Sequence, residues 1–232
     1  MESLKFILKW TNENSGFVSV LLFVITLLIA WISGFFKMLV SKPKFKIEII
    51  DQCSFCCVFD LNTKHNDLPV HKSAFVIYIQ ITNVGKAPSS IGKIKLGYYK
   101  SDFTHKFLSK RNWIEETISK EDFKFAFENS ENIKIFPFLK QRNQLMPNES
   151  ETYLPIGKQK NGIIYFEEQE AFGSWMPREN ENEKTTDIKL VIEDMFGGKH
   201  RKKIKLNLIE PKDALKYNSY FGQTYKEYFA NK

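Results

Sequence analysis

Between Glu13 and Lys37 the chain carries no charged residue. Phe17 to Phe36 reads FVSVLLFVITLLIAWISGFF, interrupted only by Ser19, Thr26, Ser33 and Gly34. A helix of about 20 such residues rises about 30 Å, the thickness of a bilayer's hydrocarbon core. Cysteine is scarce as well: the three are Cys53, Cys56 and Cys57, odd in number and crowded into one segment. That pattern suits reduced thiols better than a disulfide framework. Glycines adjoin only at Gly197-Gly198, and there is no phosphate-cradling glycine loop, nucleophile elbow or paired zinc-binding histidine motif. The commonest nucleotide-binding and hydrolytic chemistries therefore have no foothold in the sequence.

What is present is an anchor followed by a domain. The span is expected over residues 16–39, with Phe17, Leu21, Thr26, Ala30, Trp31, Ser33 and Phe36 inside it. A buried core helix would have a shorter apolar run. A cleaved signal peptide would end in small residues rather than Trp31, Phe35 and Phe36. Lys37, Lys42, Lys44 and Lys46 follow the span with no acid before Glu48, whereas Lys5 and Lys9 precede it alongside Glu2 and Glu13. Positive residues favour the cytoplasmic side, so the C-terminal domain is expected in the cytoplasm, with those four lysines near anionic headgroups. Ser19, Thr26 and Ser33 recur at seven-residue spacing with Ala30 between the last two, a small-residue face suited to self-association in the membrane.

Residues 1–15 form a short segment in which Leu4, Ile7 and Leu8 fall at helical spacing beside Lys5 and Lys9, as in an interfacial helix. Asn12 to Gly16 is expected to break it from the span, with Asn14 or Ser15 as N-cap. After a basic linker at 40–44, residues 45–232 change to period two: FKIEII from Phe45, then Ser54–Phe59, Phe75–Thr82, Lys93–Tyr99, Ile133–Phe138, Gly162–Glu167, Asp187–Glu193 and Lys203–Leu208. Asp194 to Gly198 reads as a hairpin loop, Glu179 to Thr186 as an exposed loop, Arg111 to Phe127 as a helix or ordered loop, and Lys212 to Tyr217 as a short helix behind Pro211. Many short strands without interleaved helices imply a mainly β domain, an Ig-like β-sandwich or a small β-barrel.

Candidate chemistry is sparse. Cys56, His65 and His71, with His105 further on, are the metal-ligating types, but two separated ligand pairs are missing, and filling a β core is the simpler use of cysteine. No metal or other cofactor is expected. Glu115, Glu116, Asp122, Glu167, Glu168, Glu193 and Asp194 could serve acid–base work, though a solvated face explains them more simply. The triplet at Asn148 matches a glycosylation acceptor, relevant only in a secreted setting. A net charge of +7 is scattered rather than gathered in an aromatic-lined stripe, which argues against nucleic acid. Lys199 to Lys203 forms one basic run. The loop NVGKAPSS offers Asn83, Lys86, Ser89 and Ser90 to a ligand, against the plainer reading that these residues simply make a turn.

With these residues in view, the chain resembles a family of uncharacterised bacterial membrane proteins. The segments concerned are WTNENSG, WISGFFK, CCVFD, KHN, VHKSA, ITNVGKAPSSIGKI and NGIIYFEE. The resemblance implies one span at the inner membrane and a cytosolic β domain, and it brings no activity. A more distant architectural likeness is to bacterial antiphage effectors that fuse membrane helices to a small β-barrel. The expected function is a non-enzymatic, membrane-anchored module binding a protein or small molecule. The alternative is a ligand-triggered effector whose membrane helices assemble; a third, less favoured, is an enzyme with a dispersed site.

Overall fold

A computed structural model describes residues 2–36, 41–101, 111–127, 132–145, 151–168, 171–172, 176–180 and 183–222. The chain divides into two compact units, Met1–Lys42 and Pro43–Lys232. In the first, α1 (Glu2–Glu13) and α2 (Ser15–Ile32) are separated by Asn14 alone. The expected break at Asn12–Gly16 is therefore one residue wide, because Asn14 N–H donates to Trp10 O and Asn14 O accepts from Val18 N–H, so backbone bonds run across the junction. Asn14 occupies the N-cap position, but its side chain bonds back to Trp10 O rather than capping α2.

α2 is long and apolar enough to cross a membrane and has no buried residue. It ends earlier than residue 39. Gly34 adopts φ +77, a left-handed conformation that terminates helices, and Ser33 and Gly34 N–H close the last turn on Ile29 O and Trp31 O. Ser33 is thus the C-cap and Phe36 lies past the turn, while Lys37 lies outside the described residues.

The second unit is mainly β, built on one large mixed sheet that does not close into a barrel. The principal strands are β1 (Phe45–His65), β2 (Leu68–Asn83), β3 (Ser89–Tyr98), β4 (Asn112–Glu115), β8 (Gln159–Glu167), β11 (Glu183–Asp194) and β12 (Lys199–Ile209). They lie in the order β4-β3-β11-β12-β1-β2-β8, with β1 and β12 parallel. Short strands β7 (Tyr153–Leu154), β9 (Ala171–Phe172) and β10 (Glu179–Asn180) add to its edges. A separate hairpin pairs β5 (Phe123–Ala126) with β6 (Ile133–Phe136). The segment expected as helix or loop at Arg111 to Phe127 thus supplies two strands, β10 and β11 occupy much of the expected loop at Glu179 to Thr186, and the C-terminal helix α3 is a single turn, Pro211–Ala214.

Two apolar clusters lie on opposite faces of β1, β2 and β8. One joins Phe75, Ile77, Ile79, Ile81, Ile164 and Phe166 to Ile94, Leu96, Leu190 and Leu206, so the β3-β11-β12 half packs over the β1-β2-β8 half. The other joins Phe55, Val76, Ile163 and Tyr165 to Phe123, Phe136, Ala214 and Phe221, which the β5-β6 hairpin and the C-terminal turn supply. Strands buried on both faces lose clean alternation, which is why FVIYI and IIYFE read as continuous apolar runs.

FKIEII and Ser54–Phe59 are one strand rather than two. A bulge between Ile50 and Phe55, with Cys53 at φ +63, adds three residues opposite β2. Because the excess is odd, the inward parity flips: Phe45 and Ile47 enter the first cluster before it, Cys56 after it. Ser54 Oγ repairs the ladder there, donating to Ile50 O at 2.7 Å and accepting from Tyr78 N–H at 2.9 Å.

Candidate functional site

At the end where β1 begins, one chain of hydrogen bonds ties four segments together. The Asn83 side chain is wholly buried and saturated. Its Oδ1 accepts from Gly85 N–H at 3.0 Å and Lys44 N–H at 3.4 Å, and its Nδ2 donates to Ala87 O at 2.9 Å and Leu154 O at 3.0 Å. Asn83 is therefore the brace of the NVGKAPSS loop. Ser89 is buried and Ser90 half-buried, so of the four residues named for ligand contact only Lys86 stands in solvent. Beside them, Phe45 N–H donates to His200 Nδ1 at 3.1 Å, which fixes Nδ1 as acceptor, and His200 Nε2 faces Asp194 Oδ2 at 2.8 Å as the donor. Burial opposes ionisation of Asp194, but hydrogen bonds from His200 and from Gly198 and Phe196 N–H outweigh it and hold its carboxyl below the ordinary aspartate range. Asp194 is an internal clamp of the β11–β12 hairpin rather than part of a solvated face.

Cys56, His65 and His71 are not brought together. Cys56 pairs with Phe75 and is fully buried, His71 pairs with Asp60 four residues along β1, and His65 lies at the exposed hairpin tip. Among the described residues no three His, Cys, Asp or Glu side chains gather as metal ligands, and His105 lies outside them, as does Asn148. Burial pushes the Cys57 thiol up to about 12 and raises those of Cys53 and Cys56, so all three are protonated at neutral pH and poor nucleophiles.

Sequence reasoning passed over the most concentrated polar group, which sits where the first cluster runs out at the other end of β2. Tyr98, fully buried, donates its hydroxyl to Glu168 Oε2, while Asn112 Nδ2 reaches both Glu168 Oε1 and Tyr98 Oη, the latter at 2.9 Å. Burial raises the Glu168 carboxyl above the ordinary glutamate range against the opposing pull of Tyr98, Asn112 and Lys100. Ser73, whose carbonyl accepts from Glu168 N–H at 2.9 Å, lies on the same face, as does His71 two residues earlier. Thr186 enters this face from β11, two residues from the partner of Tyr98. Ser73 Oγ, Thr186 Oγ1 and His71 Nε2 are buried without a hydrogen-bond partner among the described residues. On the opposite face of the same strands Lys72 and Glu167 form a buried ion pair at 2.9 Å, with Tyr165 Oη donating to Glu167 at 2.9 Å. The one sequence signal for all this was two adjacent acids ending an apolar run and a lysine upstream; Lys72 and Glu168 are buried and the Glu167 side chain is 10% exposed.

A shallower cleft of about 310 Å³ opens beside β8, lined by Ile118, Phe138, Ile163 and the Glu116–Lys140 ion pair. Burial raises Glu116 despite Lys140, which also donates to Gly92 O at 2.9 Å, so both charges are engaged within the fold.

No protein-family profile matches the chain, and no curated protein matches it. Among solved structures, a protein described as ApaA from Bordetella pertussis aligns at 7% identity over 73% of this chain and 97% of its own, with a TM-score of 0.27. A β-glucosidase involved in saponin metabolism from intestinal bacteria aligns at 8% identity over 72% of this chain and 16% of its own, with a TM-score of 0.23. Likenesses this slight carry neither fold nor function to the present chain.

Proposed function

We propose that the chain is a non-enzymatic binding module, held at the inner face of a bacterial cytoplasmic membrane by α2, whose β unit recognises a small polar molecule. The β unit is read as a sandwich of immunoglobulin-like type, formed as the open sheet folds over its first cluster. The observation that carries the reading is the polar end of that cluster. A buried carboxyl and phenol and a half-buried carboxamide already bond one another, while three further buried polar atoms on the same face have no partner among the described residues. Buried polar atoms without partners are uncommon and costly, and a bound molecule is one way they are satisfied. Burial holds the Cys56 thiol, near Glu168 and Tyr98, protonated, so this thiol is a poor nucleophile there.

The rival reading, assembly of the spanning helices on activation, gains nothing from hydroxyl chemistry. Ser19, Thr26 and Ser33 each donate to a carbonyl of their own helix, so their hydroxyl protons are engaged within it and close approach of small residues is the main basis for contact. The test is native mass spectrometry of the full chain released from bacterial membranes, beside Glu168→Leu and Ser73→Ala. A small molecule bound one to one in the wild type and lost in both variants is the expected result. Wild-type protein free of any such mass, with the two variants folded and indistinguishable from it, would refute the reading.

A further inference from the structure

The end of the β unit where β1 begins carries apolar side chains that the core does not use. Met195 and Phe196 at the β11–β12 tip are 68% and 74% exposed, and Val84 and Ile156 on the two neighbouring loops are 49% and 53% exposed. These tips belong to one end of the sheet. Val84 N–H donates to Lys44 O at 2.8 Å and Gly157 N–H to Asn83 O at 2.8 Å, while His200 links Phe45 to Asp194, whose carboxylate holds Phe196 N–H. Large exposed apolar side chains on braced loops that share one end of a sheet are unusual for a surface with no partner.

The charge around them is mainly positive. Lys86 and Lys158 stand exposed on the same loops, and Lys44 on the segment entering β1, without an ion pair among the described residues. The acids nearby are engaged: Glu48 with Lys46, Glu193 with Lys199 and Asp194 with His200. Chain connectivity adds a third argument. Only Ser33 to Lys44 lies between the end of α2 and the start of β1, so those 12 residues span at most about 40 Å, and the end bearing these loops is the one tied closest to the spanning helix by chain length.

We propose that this end of the β unit is a membrane-docking surface for an anionic bilayer. Phe196, Met195, Val84 and Ile156 enter the interfacial region, while Lys44, Lys86 and Lys158 meet lipid phosphates. The proposal rests on the anchored-module reading and deepens it: α2 supplies the tether and the loops set how the β unit stands on the membrane, leaving the Tyr98–Glu168 end pointed toward solvent. Each lysine near an anionic surface raises the docked fraction about fivefold, so the three together are worth about a hundredfold in the ratio of docked to undocked.

The test uses the full chain in lipid nanodiscs containing a shallow lipid-borne quencher, with a fluorophore on Met195→Cys or, independently, Val84→Cys. Thr63→Cys, on the β1–β2 hairpin at the far end, is the reference. The three native cysteines are buried and stay unlabelled in the folded protein. In discs one-third phosphatidylglycerol the labels at 195 and 84 are quenched and that at 63 is not. The difference disappears in pure phosphatidylcholine and in the combined Lys44→Glu, Lys86→Glu, Lys158→Glu variant, whose circular dichroism is unchanged. Equal quenching at both ends, or none at either, in anionic discs overturns the proposal, and quenching at 195 and 84 that ignores lipid charge overturns its choice of an anionic surface. A chain that fails to enter the discs at all overturns the anchored-module reading itself, and the docking proposal falls with it.

Discussion

Replacing Asn83 separates a loop that binds from a loop that is only braced. Asn83→Ala deletes four hydrogen bonds at once. Lys44 and Gly85 are accessible enough for water to replace the carboxamide oxygen, so their loss is small. Leu154 is buried, and its carbonyl would be left bare beside a cavity the size of the lost amide. Two well-made bonds at about 1 kcal/mol each and one unsatisfied buried carbonyl at about 1–3 kcal/mol give an expected loss of about 3–5 kcal/mol. With a urea dependence of about 2 kcal/mol per molar, the unfolding midpoint falls by about 1.5–2.5 M. The assay is urea unfolding of the full chain in a mild non-ionic detergent, followed by near-ultraviolet circular dichroism of the packed tyrosines. Lys86→Ala, on the same loop but in solvent, should shift stability by less than about 0.5 kcal/mol. An Asn83→Ala protein that unfolds at the wild-type midpoint would show that the brace is not what holds the loop.

Three further outcomes are expected. Gly162→Ala should destabilise by about 1–3 kcal/mol in the same assay, since a Cβ there would lie 2.4 Å from Leu139 backbone atoms and must push away the segment whose Leu139 N–H bonds Ile163 O; unchanged stability would mean that this segment is not seated on β8. Lys72→Ala should cost about 3–5 kcal/mol by stranding Glu167, whereas the combined Lys72→Met, Glu167→Leu variant should recover most of that loss, and strict additivity of the two single changes would contradict a buried pair. Because its folded carboxyl is lowered, Asp194 contributes stability that is present above the ordinary aspartate value and lost as pH falls through the lowered one, so the deficit of Asp194→Asn relative to wild type should shrink below about pH 4, as read from unfolding midpoints against pH.

How much of this was legible depends on whether the deciding signal was local. The apolar span and the Asp194–Gly198 hairpin are written in consecutive residues, and both stand in the structure. The end of α2 was written too, in Gly34, but the apolar count carried past it. Register across the sheet was not legible. Cys56 faces the first cluster only because a three-residue bulge reverses parity upstream, and nothing in SFCC announces the bulge. The two-residue turn at Asn66-Asp67, both at positive φ, joins β1 to β2, and the polar residues around it carry no alternation that would mark the strands on either side.

The buried polar groups expose the deeper limit. Glu167 and Glu168 are neighbours that end one strand, and alternation sends them to opposite faces. On a sheet with one wet face, one of them would meet water, which is what a solvated-face reading assumes. Here β8 has the β3-β11-β12 half on one side and the β5-β6 hairpin on the other, so neither acid escapes. Each therefore needs a partner from a distant part of the chain: Lys72 for Glu167, helped by Tyr165 on its own strand, and Tyr98 and Asn112 for Glu168. Whether an Asp or Glu in this chain is surface or site is thus decided by the number of layers over its strand. Tyr98 and Leu206 build the layer over the Glu168 face, and Phe123, Phe136 and Phe221 the layer over the Glu167 face, all far from the acids in sequence.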